Sequence, residues 1–210
     1  MDDLKISHVE RVVVDDVIKE IESHFGKMSV THGNKHSYLG MEIEFIGNGK
    51  VTFLQKDHLL EVIATFGEDV SIPVTSTAKK NLFSVNENNK LLDERKSDTI
   101  HSTTQKLLFV AKRSRPDIQP TLSFLCTRVQ KSNVTDWEKL KRLLQFINDT
   151  IDERLTPSAD EGLTFMKTWV DASYAVHPNM RGHTGGCLTL GRGMLHGRSS
   201  KQKLNAKRST

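Results

Sequence analysis

A lone carboxylate, Asp171, follows the apolar pair Trp169-Val170, and beyond it every formal charge in the sequence is positive: Arg181, Arg192, Arg198, Lys201, Lys203, Lys207 and Arg208. Cations at that density suit a phosphate backbone, whose counterions they displace, and a carboxylate among them suits a divalent ion that bridges protein and phosphate oxygens. A solvated basic surface is the alternative. Other candidate groups weigh less. His32 and His36 stand four apart, a metal-pair spacing on a helix, but Gly33 and Asn34 between them predict a turn. Gly191-Arg192-Gly193-Met194-Leu195-His196-Gly197 is one residue too long for a dinucleotide fingerprint and lacks a βαβ setting, so it predicts a strand-connecting turn. Ser199-Ser200-Lys201 has no base at a spacing that would activate a hydroxyl, and no nucleophile triad is visible. Cys126 and Cys187 lie far apart without a CxxC pattern, which predicts a reducing compartment, no disulfide framework and no structural zinc. At the other end Asp2 and Asp3 are adjacent acids that carry no assignment in isolation.

The elements that must position these groups can be read from composition and periodicity. With 210 residues, 36% hydrophobic and 27% charged, the chain can bury one full domain and a smaller piece. The net charge of +4 and pI of about 9.0, with much of the excess in the last quarter, favour a polyanion as partner. No apolar run approaches a membrane span and no apolar leader opens the sequence, so no membrane partner is expected. For the same reason Asn133-Val134-Thr135 and Asn148-Asp149-Thr150 read as chance matches to the glycosylation triplet.

Leu4, Ile6 and His8 alternate with polar residues as in a short strand, and Val14, Val17, Ile18, Ile21 and Phe25 share one face of a helix that Gly26 closes. Leu39, Met41, Ile43 and Phe45 alternate as a half-buried strand. Gly47-Asn48-Gly49 then supplies a tight turn into Val51-Thr52-Phe53-Leu54-Gln55. A helix over 56–66 points Leu59, Leu60, Ile63 and Phe66 inward, and 67–96 is loop-like. A helical block follows. Its first helix covers 99–113 around Leu107, Leu108 and Val110; its second runs from Pro116 to about 129 through Ile118, Leu122, Leu125 and the core residue Cys126. Its third, capped by Thr135 or Asp136, reaches about 152 along Trp137, Leu140, Leu143, Leu144, Ile147 and Ile151. Lys139, Lys141 and Arg142 lie off that stripe, where solvent or a phosphate would meet them. Residues 156–162 then form a linker.

Trp169-Val170-Asp171-Ala172-Ser173-Tyr174, Arg181-Gly182-His183-Thr184-Gly185-Gly186 and Ser199-Ser200-Lys201-Gln202 together resemble the opening of the ribonuclease H domain in copia-type retrotransposon Pol polyproteins. Upstream, an Asp-Asp turn, a strand, a helix and then Tyr38-Leu39-Gly40-Met41-Glu42 in a hairpin is similar to the rear of the reverse transcriptase palm of that family. There Met1-Asp2-Asp3 resembles the end of the Tyr-x-Asp-Asp motif. Between them, Lys106-Leu107-Leu108-Phe109-Val110-Ala111, Ser114-Arg115-Pro116-Asp117-Ile118, Asp136-Trp137 and Lys141-Arg142-Leu143-Leu144 resemble the family's helical block joining polymerase to nuclease.

The resemblance implies an α+β chain in four parts. A palm remnant over 1–66 (strand, helix, β-hairpin, helix) precedes a helical thumb or connection over 67–155, a linker over 156–167 and the first three strands of an incomplete ribonuclease H-like sheet over 168–210. It implies that Asp2, Asp3 and Asp171 are catalytic carboxylates that hold Mg2+, since adjacent aspartates on a tight turn can both reach paired ions where a flat strand would point them apart. It implies that Tyr38 and Gly40 belong to the hairpin that grips the primer backbone, and that Lys141, Arg142, Arg181, Lys201 and Lys203 bind nucleic acid. The implied partners are an RNA/DNA template-primer duplex and the remainder of the polyprotein, in cytoplasmic particles or the nucleus. The family's motif tyrosine, its upstream polymerase aspartate and three of its four nuclease acids have no counterpart in this sequence, so both metal sites are expected to be incomplete and the chain alone inactive. The alternative function is a non-catalytic nucleic-acid-binding module built on the basic C-terminal strands. About forty residues of open sheet are also expected to be marginal in stability.

Overall fold

Four helices share the apolar positions that form the core, and a small antiparallel sheet lies on each side of them in the chain. A computed structural model describes residues 4–160 and 162–205. Asp2, Asp3, Lys207 and Arg208 lie outside the described residues. The chain is α+β, as expected. Among the described residues no helix is long and apolar enough to cross a membrane.

Leu4 to His8, expected as a strand, finds no ladder partner and has no regular structure. Helix α1 (Arg11–Phe25) forms where its apolar spacing predicts and ends at Gly26, whose φ of 83° and N–H to Glu22 O close the last turn. It buries none of its residues.

The first sheet is a three-stranded meander, not the expected two-stranded hairpin. Strand β1 (Lys35–Tyr38) pairs with β2 (Met41–Gly47), and β2 with β3 (Lys50–Leu54). The alternation from Leu39 to Phe45 hides a reversal: Leu39 and Gly40 have φ of 49° and 70°, both left-handed, as a two-residue hairpin turn requires. Asn48 and Gly49 make the second turn at φ of 52° and 70°. Leu155, after the last core helix, adds to the sheet by exchanging both backbone hydrogen bonds with Phe53.

Helix α2 (Lys56–Phe66) has the expected bounds and stops at left-handed Gly67, but its buried stripe is Leu59, Val62 and Phe66, while Leu60 is exposed. Helix α3 (Glu94–Ala111) begins five residues earlier than its apolar spacing suggests, because the Asp93 carboxylate accepts the Lys96 amide and starts a first turn that is polar all round. A 3-10 turn (Pro116–Ile118) leads into α4 (Gln119–Cys126). Cys126 packs against the core, and burial pushes its thiol pKa up. The cap of α5 (Val134–Asp149) is Asn133 and not Thr135 or Asp136. Its side chain accepts the Thr135 and Asp136 amides while Asp136 accepts the Asn133 amide, a reciprocal box.

Arg115 locks the corner between α3 and α4 to the end of α5. Only 3% exposed, it donates to both Asp117 oxygens and to the carbonyl and hydroxyl of Thr150. The second sheet, β4 (Lys167–Ser173), β5 (His183–Thr189) and β6 (His196–Lys201), is an antiparallel meander with β5 central and β6 packed on α4.

Candidate nucleic-acid interface

The register of the second sheet decides which C-terminal residues meet. Directly opposed residues share a face, so Asp171, Gly185 and Ser199 form one row across the three strands, and Ser173, His183 and Lys201 form the next row on the same face. Two strand spacings separate Asp171 from Ser199, about 10 Å. Gly185 floors the gap: a Cβ placed there would meet nothing within 4 Å, so the space above it is open. Asp171 is exposed, and its Oδ1 accepts the Ala172 amide at 2.8 Å.

The cations gather at the β6 end of this face. Burial, then the Arg181 and Arg128 guanidinium groups, push the Lys201 ammonium below its ordinary pKa. Arg128, at the end of the α4 segment, also holds Asp136 at 3.1 Å. Lys203 follows the strand and is exposed. Arg192 and Arg198 stand apart: Arg192 pairs with Asp160 at 3.7 Å, and Arg198, opposite Gly186, projects from the other face.

The loop between β5 and β6 is held from behind by residues 156–160. Ser158 N–H donates to Arg192 O, and Asp160 accepts the Arg192 amide. A Cβ on Gly191 would lie 2.7 Å from Ser158 O, so the two backbones are in contact there. The Ser158 hydroxyl leads the groups that keep the Asp160 carboxyl below the ordinary aspartate range.

The upstream site residues are placed elsewhere. Tyr38 ends β1, half-buried, and Gly40 is exposed at the turn, with Gln55 Nε2 donating to its carbonyl at 3.5 Å and the Phe109 ring beside it. Lys141 donates to Glu68 at 3.1 Å, and Glu68 also accepts from Trp137 Nε1. Arg142 donates to Ser76 Oγ. These two cations are thus engaged within the helical block and do not join Arg181, Lys201 and Lys203.

The donor set around Asp171 does not fit a magnesium centre. Mg2+ takes six oxygens in near-octahedral array, yet the row beside Asp171 offers a glycine and the Ser199 hydroxyl, which lies 2.7 Å from His183 Nε2, and the next row ends in a lysine. Among the described residues no group of three or more His, Cys, Asp or Glu side chains is arranged to hold a metal ion.

The chain is 22% identical over 211 aligned positions to the uncharacterized mitochondrial protein AtMg00810 of Arabidopsis thaliana, a match that covers all of this chain and 85% of that protein. No protein-family model matches the chain, and no solved structure does.

Charge counting missed His177 and His183, which are 3% and 7% exposed. His177 Nε2 lies 3.1 Å from His183 Nδ1, and the Phe83 ring packs on both imidazoles at 4.9 Å. One signal was available: His183 falls at the same strand parity as Thr189, which is also buried, so this face is covered at its two ends and open at Gly185 between them.

Proposed function

We propose that the chain is a segment of a copia-type retrotransposon Pol polyprotein, from the rear of a reverse transcriptase palm through a helical connection to the opening sheet of a ribonuclease H-like domain. In this reading it holds a nucleic-acid backbone and does not synthesise or cleave a strand. The observation that carries it is the glycine-floored row from Asp171 to Ser199, with Lys201 ending the next row, Arg181 near that lysine and Lys203 exposed beyond the strand. Lys201, whose ammonium burial and then the Arg181 and Arg128 charges disfavour, gains by meeting a phosphate, since each phosphate contact releases a condensed counterion. Retroelement ancestry is supported by the motifs and by the distant similarity, over the whole of this chain, to a plant mitochondrial protein. Asp171 is the only acid beyond residue 161, and one carboxylate does not assemble the two ions that nucleotidyl transfer or strand hydrolysis uses.

Fluorescence anisotropy with an RNA–DNA hybrid, run at several salt concentrations, tests this. Three phosphate contacts from Arg181, Lys201 and Lys203 give a log–log salt slope of about −2.7, and the double variant Arg181→Gln/Lys201→Gln leaves about −0.9. Lys141→Gln leaves the slope unchanged, because Glu68 already engages that ammonium. An unaltered slope in the double variant would remove the backbone-binding reading. Magnesium-dependent cleavage lost in Asp171→Asn would overturn its non-catalytic half.

A further inference from the structure

We infer that the buried pair His177–His183 is an acid-sensitive latch that fastens the C-terminal sheet to the helical block. The two histidines belong to the sheet, His183 on β5 and His177 in the β4–β5 loop, but they pack against rings of the other unit. Phe83 lies 4.9 Å from each, and Phe124 of α4 stacks on His177 at 6.4 Å. Ser199 of β6 completes the chain at 2.7 Å from His183 Nε2. A bond between two imidazole nitrogens needs one donor and one acceptor, so at least one ring of the pair must be neutral. If both carry a proton, the nitrogens 3.1 Å apart face each other as donors.

Burial and the Lys201 charge oppose protonation of His177, and the other charged groups on the elements around the pair are mostly cations. Lys201 on β6 and Arg181 in the β4–β5 loop lie on the sheet, Arg128 follows α4, and Lys139 of α5 sits over the Phe124 ring at 4.3 Å. The carboxylate of Asp136 on α5 is taken by Arg128 and by the Asn133 amide. Burial first, then Lys201 and His183, lower the His177 pKa from 6.5 to about 4, and burial lowers that of His183.

The sign follows from linkage. An open state that returns His177 to its ordinary value binds the proton below pH 6.5, whereas the closed state resists it until about pH 4. Closure is therefore fully favoured above 6.5 and weakens as pH falls toward 4. Between pH 7.5 and 5 the closed-to-open ratio drops about 30-fold from this one residue. The Asp160 carboxylate, which anchors the β5–β6 loop, has a depressed pKa and stays ionised at pH 5, so it does not contribute in this window.

Amide-exchange protection factors of the full chain at pH 7.5 and 5.0 test the latch. The expected result is a drop of about 30-fold for β5 and β6 amides, with α3 and α5 amides changed less than about threefold. In His177→Phe, whose ring fills the same aromatic cluster without titrating, most of that drop disappears. A pH-independent sheet, a drop shared equally by the core helices, or an undiminished drop in His177→Phe would each overturn the proposal. Should that variant fail to fold, the wild-type His177 Cε1–H resonance gives an independent answer: titration below 5 supports the latch, and titration near 6.5 overturns it.

Discussion

Arg115→Ala is expected to be the most destabilising single change that leaves the apolar core untouched. Arg115 is 3% exposed, and its guanidinium reaches Asp117 at 3.0 and 2.8 Å and the Thr150 carbonyl and hydroxyl at 2.9 and 2.7 Å. Breaking a buried pair by removing one partner costs about 3–5 kcal/mol. Here the low end applies, because the Asp117 side chain is 43% exposed and water can resolvate it. What water cannot replace as easily is the charged donor to the carbonyl of Thr150, the C-cap of α5, where the helix dipole is negative. The cost is therefore about 3 kcal/mol, which for a chain of this size lowers Tm by roughly 6–12 °C. Arg115→Lys keeps the charge but loses the fork, so its single ammonium serves Asp117 or Thr150 and not both, and about half the loss returns. Urea unfolding followed by far-ultraviolet circular dichroism measures both variants, with m checked for two-state behaviour. An Ala variant within 1 kcal/mol of wild type, or a Lys variant as poor as Ala, would refute the assignment of Arg115 as the tie between α4 and α5.

Two further changes probe the sheet and the cap. Gly193→Ala forces a side chain onto a φ of 69° and into the Thr156 carbonyl, so it should release the β5–β6 loop at a cost of about 1–3 kcal/mol. Limited proteolysis should then cut faster within 156–166 while the melting of the α2–α5 core is unchanged; equal cutting rates would argue against the backbone contact. Asn133→Ala removes one half of the reciprocal box and should cost about 1–2 kcal/mol in urea unfolding. Combined with Asp136→Ala it should cost less than the sum of the two, since the pair acts as a unit, and strict additivity would contradict the box.

The helices were legible because their stripes are long. Leu140, Leu143, Leu144 and Ile147 repeat at helical spacing and all are buried. Their starts were not, because a cap is set by a side chain's reach to an amide and not by hydropathy: Asp93 and Asn133 each precede the first apolar residue of their helix. The first sheet failed for a different reason. A two-residue hairpin preserves alternation across the turn, so Leu39, Met41, Ile43 and Phe45 read as one strand although the chain reverses at Leu39 and Gly40. Gly40, free to adopt the positive φ that a two-residue turn needs, is the residue that signals the reversal.

The site divides along the same line between local pattern and long-range pairing. Lys141 and Lys201 look alike in sequence, each a cation within two residues of another basic residue. What separates them is a neighbour far along the chain: Glu68 neutralises Lys141, while Lys201 meets Arg181 and Arg128, which share its sign. Charge counting assigns both to a phosphate, but only the uncompensated cation gains much by releasing a counterion. The same argument bears on Asp171. A carboxylate in a basic stretch suggests a metal ligand, yet a metal needs several oxygens in one place, and the strand register puts a glycine and a hydroxyl beside Asp171 and a lysine at the end of the next row. That face thus carries positive charge at one edge and a single acid at the other, and in the proposed reading contact with a polyanion rests on the cations.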